Sequence, residues 1–230
     1  MNWTDPIDGY CERLTASFWA EPVNAVSNLA FLVAAGLGLA LWRRIDRHGR
    51  GARQARDWAS LALVGVVAVI GVGSFLFHTF ANLWSSLADV LPIAVFIYAY
   101  FALALYRLVG LGAITAALGT LCFIGLSRFA GDVFGGIVGS SASYVPALLA
   151  LFAIGLALLA RRKPEGPLVL AAGLVFTLSL ALRIADAPLC PTWPVGTHFL
   201  WHVLNAVTLG LLLVAAIRHG PRRRPRRITA

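Results

Sequence analysis

Charge is scarce in this chain. Asp, Glu, Lys and Arg together make up 13% of its 230 residues, where a soluble domain carries about a quarter. That deficit, set beside 59% hydrophobic residues, excludes an ordinary water-soluble fold and points to an integral membrane protein. The apolar runs lack strict alternation with polar residues, which excludes a closed β-barrel. Internal repeats and a second domain are also missing. The opening M-N-W-T-D-P-I-D-G-Y has no basic segment, so a cleaved signal peptide is not expected. Lysine is nearly absent, one against eighteen arginines. That bias points to a GC-rich, bacterial genome and so to a bacterial cytoplasmic membrane.

What the chain does have is a series of charge-free stretches, at 22–42, 58–88, 90–106, 108–127, 133–160, 166–182 and 187–217. A membrane span needs about 20 residues. The expected fold is therefore all-α, a bundle of seven transmembrane helices near 23–42, 58–81, 87–106, 109–129, 142–160, 167–184 and 196–217. These form one domain over residues 1–220, followed by a basic tail at 221–230 that is expected to be disordered.

The formal charge of +9 is distributed unevenly. Six arginines fall between Arg43 and Arg56, and six more between Arg218 and Arg227. Arg107, Arg161, Arg162 and Lys163 join them on one side if seven helices alternate, which leaves Arg13, Arg128 and Arg183 on the other. This is the positive-inside pattern, with the N-terminus outside and the C-terminus cytoplasmic. The basic tail suits anionic lipid headgroups. Nucleic acid is not an expected partner, because no basic, aromatic-interleaved domain lies outside the membrane.

That orientation sets the depth of the polar residues. His78 sits near the outer end of the second helix, with Ser74 one turn deeper on the same face. Asp89 sits near the outer end of the third. His198 and His202, in H198-F-L-W-H202, share one face of the seventh helix within its first two turns. Five polar groups thus occupy one layer. A single intramembrane histidine is as readily a packing device as a ligand, but three at one level with an acid point to a shared metal. Zinc fits best, since three protein ligands with one open position mark a catalytic site. A haem needs fewer imidazoles, and a proton relay is the non-metal rival. His48 and His219 fall in the arginine-rich inner segments and are expected to be merely solvated.

Zinc on three imidazoles lowers the pKa of water to about 7. Asp89 is then the expected general base, returning the proton to a leaving nitrogen. Ser74 is placed to hydrogen-bond a developing oxyanion. Asn205, three residues after His202, is the expected group that orients a ligand from behind. A hydrolytic site inside a bilayer implies a lipid substrate with a cleavable amide or ester.

The stretches Y10-C-E-R, A20-E-P-V-N-A-V-S-N28, G73-S-F-L-F-H78 with Asp89 eleven residues on, R183-I-A-D186 and G196-T-H-F-L-W-H202 resemble the alkaline ceramidases. These belong to a wider group of seven-helix membrane proteins that includes adiponectin receptors and Per1-like proteins. The resemblance covers essentially the whole chain. It implies zinc on His78, His198 and His202, catalysis by Ser74 and Asp89, and hydrolysis of a ceramide-like N-acyl amide. It also implies a calcium ion near the zinc, bound by Asp8, Tyr10 through its carbonyl, Glu12, Leu14 and Glu21. The sequence departs from the family there: Leu14 replaces an asparagine, Gly9 is inserted after Asp8, and the interval from Cys11 to Glu21 is short. Calcium takes six to eight oxygens, and the alternative for Asp8, Glu12 and Glu21 is three solvated surface acids.

Cys11 and Cys190 both fall on the external side, where a disulfide can persist, and the resemblance supports their pairing. Cys122 lies mid-helix, away from the histidines, and reads as a small core residue. Asn24, Ser27 and Asn28 share one side of the first helix, for packing or contact with the seventh. Arg183 and Asp186 are spaced as an i, i+3 ion pair, with contact to a substrate headgroup as the other reading. Two functions stand: a zinc amidase cleaving ceramide or another N-acyl lipid, or a lipid-sensing, receptor-like protein with a structural zinc. Ser74 and Asp89 favour the first, since a structural metal needs neither. A proton-coupled transporter would need polar groups continuing to the inner face, which the second, third and seventh helices lack.

Overall fold

The structure is a computed structural model that describes residues 2–48 and 56–221. The helices run in the order α1 (Pro22–Ser27), α2 (Leu29–His48), α3 (Trp58–Phe80), α4 (Leu83–Leu103), α5 (Ala113–Ser127), α6 (Ala130–Val138), α7 (Val145–Ala160), α8 (Gly166–Leu189) and α9 (His198–His219). A π-helical turn at Ala104–Val109 extends α4, and a 3₁₀ segment at Gly139–Tyr144 joins α6 to α7. Among the described residues there is no named strand, so the all-α expectation holds.

Six stretches are long and apolar enough to cross a membrane: Pro22–Arg47, Trp58–Phe80, Leu83–Val109, Ala130–Ala160, Gly166–Leu189 and His198–His219. The seventh, Ala113–Ser127, has only 15 residues, about 22 Å at 1.5 Å per residue. It is shorter than expected because Gly110 turns the chain with φ +94° and Arg128 follows its last residue. The fifth expected helix is likewise built in pieces, with the 3₁₀ segment between α6 and α7. The sixth continues past Arg183 to Leu189. The basic tail, from Arg222 onward, lies outside the described residues.

Local sequence sets the α3–α4 hairpin. The Asp57 side chain accepts from the Ser60 amide and caps the start of α3. α3 stops where Ala81 adopts a left-handed conformation. Asn82 and Ser85 then form a reciprocal capping box that opens α4 four residues earlier than its apolar run suggests. The end of α3 and the start of α4 therefore share one end of the bundle. So does the start of α9.

In lipid, helices associate through close packing rather than through water exclusion. The core follows that rule: Phe31, Val67, Ile70, Phe96, Leu158 and Leu213 are buried at its centre. Ile114, Leu118, Leu121, Ile137 and Leu174 point outward, as lipid-facing residues do. Cys122 is also exposed, so it is a lipid-facing residue and not the core residue expected. Gly73 marks the tightest approach. A Cβ there would lie 2.0 Å from the carbonyl oxygen of Ala88, so only glycine lets the two backbones meet at this point. Gly73→Ala is expected to force α3 off α4, costing about 1–3 kcal/mol. Thermal inactivation in detergent micelles should show a lower midpoint, with turnover reduced in the surviving fraction because Ser74 and Asp89 are the next residues along.

Candidate metal centre and active site

His78, near the end of α3, and His198 and His202, in the first turns of α9, converge at that shared end. All three are buried, and their ligand-capable atoms lie within 4.8 Å of one another. His78 Nε2 and His202 Nε2 are 3.1 Å apart. Two ligands on one tetrahedral zinc, each at about 2.0–2.1 Å, sit roughly 3.3 Å apart, so the spacing suits a shared ion.

The backs of the rings fix which nitrogen faces inward. His78 Nδ1 donates to Glu21 Oε2 at 2.6 Å. His202 Nδ1 donates to Ser27 Oγ at 2.7 Å, and that hydroxyl donates in turn to the Asn24 carbonyl at 2.7 Å. With Nδ1 protonated on both rings, both Nε2 atoms present lone pairs to each other. Such a pair is repulsive unless a cation lies between them. A carboxylate or hydroxyl behind a histidine is the usual support for a metal ligand. His198 completes the group: its Nδ1 is buried and has no hydrogen-bond partner. The site therefore fits a metal ion.

α9 is held at the metal centre by a residue from another helix. Asp186 Oδ1 accepts from the Thr197 and His198 amides at 2.7 and 2.9 Å, placing a carboxylate at the start of α9, where the helix dipole favours it. Its Oδ2 accepts from the Cys11 amide at 3.3 Å. Gly196 makes this possible. It has φ +67°, and a Cβ on it would lie 2.1 Å from Asp186 Oδ1.

The expected Arg183–Asp186 ion pair is thus absent. Arg183 Nη1 instead donates to Ser141 Oγ at 2.6 Å and Ser140 Oγ at 3.2 Å. Its guanidinium lies 5.5 Å over each of the Tyr144 and Trp201 rings. Asp186 turns away because two helix-end amides offer it a better site than a neighbouring cation does.

Tyr10 roofs the histidines. Its ring stacks on His198 with centroids 3.7 Å apart. Burial pushes its phenol above the ordinary range, so it stays neutral. The disulfide Cys11–Cys190 ties this N-terminal segment to the end of α8, as the resemblance implied.

A narrow, partly open cavity of about 80 Å³ is lined by Ser74, Asp89 and His202 together with apolar side chains such as Ile93, Phe101 and Leu212. The Ser74 hydroxyl lies beside the Asp89 carboxylate. Asp89 Oδ1 is buried without a hydrogen-bond partner, an acceptor held ready in an apolar wall. Asn205, expected behind His202, instead lines the cavity wall. Ser27 holds His202 in its place, because a helix neighbour at i+3 does not reach behind the ring.

The acidic segment does not assemble an oxygen cage. Glu12 accepts from the Val23 and Asn24 amides at 2.7 and 2.8 Å, capping α1. Glu21 Oε1 accepts from Arg13 Nε at 2.5 Å, while Oε2 takes His78 and Asn24. Burial alone would raise the Glu21 carboxyl, but the hydrogen bond from His78, with the bonds from Arg13 and Asn24, holds it below the usual range. The Asp8 and Leu14 side chains are exposed, and the Tyr10 carbonyl accepts from the Arg13 amide at 3.2 Å. His219 departs from expectation as well: its Nδ1 bonds Glu165 Oε1 at 2.8 Å, at the opposite end of the bundle. The side chain of His48 lies outside what the structure describes.

Sequence reasoning missed three groups: Arg13, the Glu21 contact to His78 and the Asp186 cap; the Ser27 contact to the seventh helix is one of the two roles the sequence offered for it. The A20-E-P-V-N stretch carried one usable signal, an acid directly before a helix-starting proline and one turn before a buried asparagine. The other contacts cross the chain and leave no local pattern.

A buried three-histidine group, one member of which (His202) lines an apolar cavity, inside a seven-helix bundle, defines a multi-pass membrane protein with a candidate metal centre. The family model for Ceramidase matches residues 6–225. With nearly the whole chain matched, the protein belongs to that family, and family membership makes it a hydrolase. A comparison with curated proteins found no match.

Proposed function

We propose that the protein is a zinc-dependent amidohydrolase that cleaves the amide bond of ceramide or a related N-acyl lipid, giving a fatty acid and an amine. The observation that carries this reading is the cavity itself, in which an unpartnered acid, a hydroxyl and a metal-competent histidine share a lining that is otherwise mostly apolar. A lipid-shaped ligand with one polar linkage fits that distribution. The positive-inside distribution supports an external N-terminus, with the histidines near the outer face.

A zinc ion on His78, His198 and His202 would supply Lewis acidity, lowering the pKa of water and polarising a carbonyl. The chain's own groups do the rest. Asp89 Oδ1 accepts a proton from the attacking water as the water oxygen bonds the amide carbon. The Ser74 hydroxyl donates to the carbonyl oxygen while charge develops there. As the C–N bond breaks, the Asp89 carboxyl passes its proton to the nitrogen, giving the amine and the carboxylic acid, which then releases its own proton to the amine or to water. Tyr10 limits bulk water from above. Glu21 and Ser27 keep the His78 and His202 rings in one tautomer.

The test is metal analysis of purified protein together with fatty-acid release from a panel of N-acyl lipids that includes ceramide. About one zinc per chain is expected, with release lost on chelation and restored by zinc. A protein that stays metal-free after zinc-replete purification, or that releases no fatty acid from any amide lipid, would sink the reading.

A further inference from the structure

We infer that Arg13 is a positioning residue for the three-histidine centre, a built-in cation that does the work the family resemblance assigns to calcium. This rests on the reading of those histidines as a metal site. Arg13 holds His78 at two points. Its Nη2 donates to the His78 carbonyl at 3.1 Å. Its Nε donates to Glu21 Oε1, and the other oxygen of that carboxylate receives His78 Nδ1–H. Nη1 completes the fork with the Thr15 carbonyl at 3.3 Å. Backbone and ring of the same histidine are thus tied to one rigid, planar group.

Burial adds weight. The Arg13 side chain is 6% exposed and the Glu21 side chain 3%. A cation this deep is rare unless it is paired and hydrogen-bonded. The geometry also excludes a divalent ion between the same partners, because the guanidinium already occupies the Glu21 oxygen that would face it. Leu14 brings no side-chain oxygen to replace the lost ligand. A point charge such as calcium binds by oxygen count, whereas the guanidinium binds by shape and is satisfied here by one carboxylate and two backbone carbonyls.

The chain of contacts runs Arg13, Glu21, His78 and then the shared centre. Glu21 keeps the proton on His78 Nδ1 only while the carboxylate stays aligned behind the ring. Without Arg13, Glu21 is left buried with one oxygen unpaired, and its grip on the ring loosens.

The experiment measures zinc affinity by competition with a chromophoric chelator, on the full-length protein in detergent, for the parent, Arg13→Met and Arg13→Lys. Monodispersity and retention of the Cys11–Cys190 disulfide confirm folding. Arg13→Met is expected to lose about 10–100-fold in zinc affinity, the usual effect of removing a ligand's support. Arg13→Lys should recover part of it, since an ammonium can pair with Glu21 but cannot fork to the His78 carbonyl. Zinc affinity of the parent should not change across calcium concentrations from micromolar to millimolar after treatment with a calcium-selective chelator. If Arg13→Met fails to fold, the Arg13→Lys affinity and the calcium titration decide the matter. Folded Arg13→Met with parental zinc affinity, Arg13→Lys indistinguishable from parent, or a calcium-dependent gain in the parent would overturn the assignment. A parent that binds no zinc at all defeats the metal reading instead, so the two failures are told apart.

Discussion

His202→Ala is expected to purify folded but without stoichiometric zinc, and to release no measurable fatty acid. His202 provides one of two nitrogens that face each other at 3.1 Å, and alanine leaves only two rings around the centre. Two imidazoles are too few for a stable zinc site, which takes three protein ligands when it is catalytic. Zinc contributes several kcal/mol of transition-state stabilisation, and each 1.36 kcal/mol is a factor of ten. Turnover should therefore fall by at least about a thousandfold. Inductively coupled plasma analysis and a fatty-acid assay on the same sample check both halves. A variant that keeps a full complement of metal would show that the ion is held elsewhere.

The second large effect is expected at Asp89, with the opposite metal signature. Asp89→Asn preserves shape and should leave zinc content unchanged. It removes the only acceptor among the proposed catalytic groups that can take a proton and give it back. General acid–base groups contribute about 10²–10⁴-fold, and the loss should lie in kcat with KM nearly constant, because the change is isosteric. The absence of a hydrogen-bond partner on Oδ1 makes the prediction sharper: no neighbour is positioned to substitute for it. Normal hydrolysis by the variant would remove Asp89 from the mechanism.

How much of this was readable in the chain depends on distance along it. H198-F-L-W-H202 was legible because one helical turn fixes which face both rings share. The common level of His78, Asp89 and His198 was legible because alternating spans convert sequence position into depth. Local helix chemistry was harder. α4 starts early because Asn82 and Ser85 cap it, a polar pair that an apolar-run reading places outside the helix. The 3₁₀ segment between α6 and α7 hides inside a continuous apolar run for the same reason.

Contacts made across the fold stayed invisible. Asp186 looked like the partner of Arg183, three residues away, yet it caps a helix starting twelve residues later. Ser27 and His202 are 175 positions apart; the polar side of the first helix suggested a contact with the seventh, but nothing singled out His202. The acidic N-terminal segment misled for a different reason. Its acids suggested an oxygen cage, but a single arginine among them, Arg13, reorganised the pairing.

The Cys11–Cys190 link and the Asp186 cap have a consequence for biosynthesis. Cys11 cannot find its partners, Asp186 and Cys190, until α8 has been made. His78 likewise meets His198 and His202 only once α9, the last helix, has joined α3. On the proposed function, capture of an ion by these rings would then fall among the closing events of maturation.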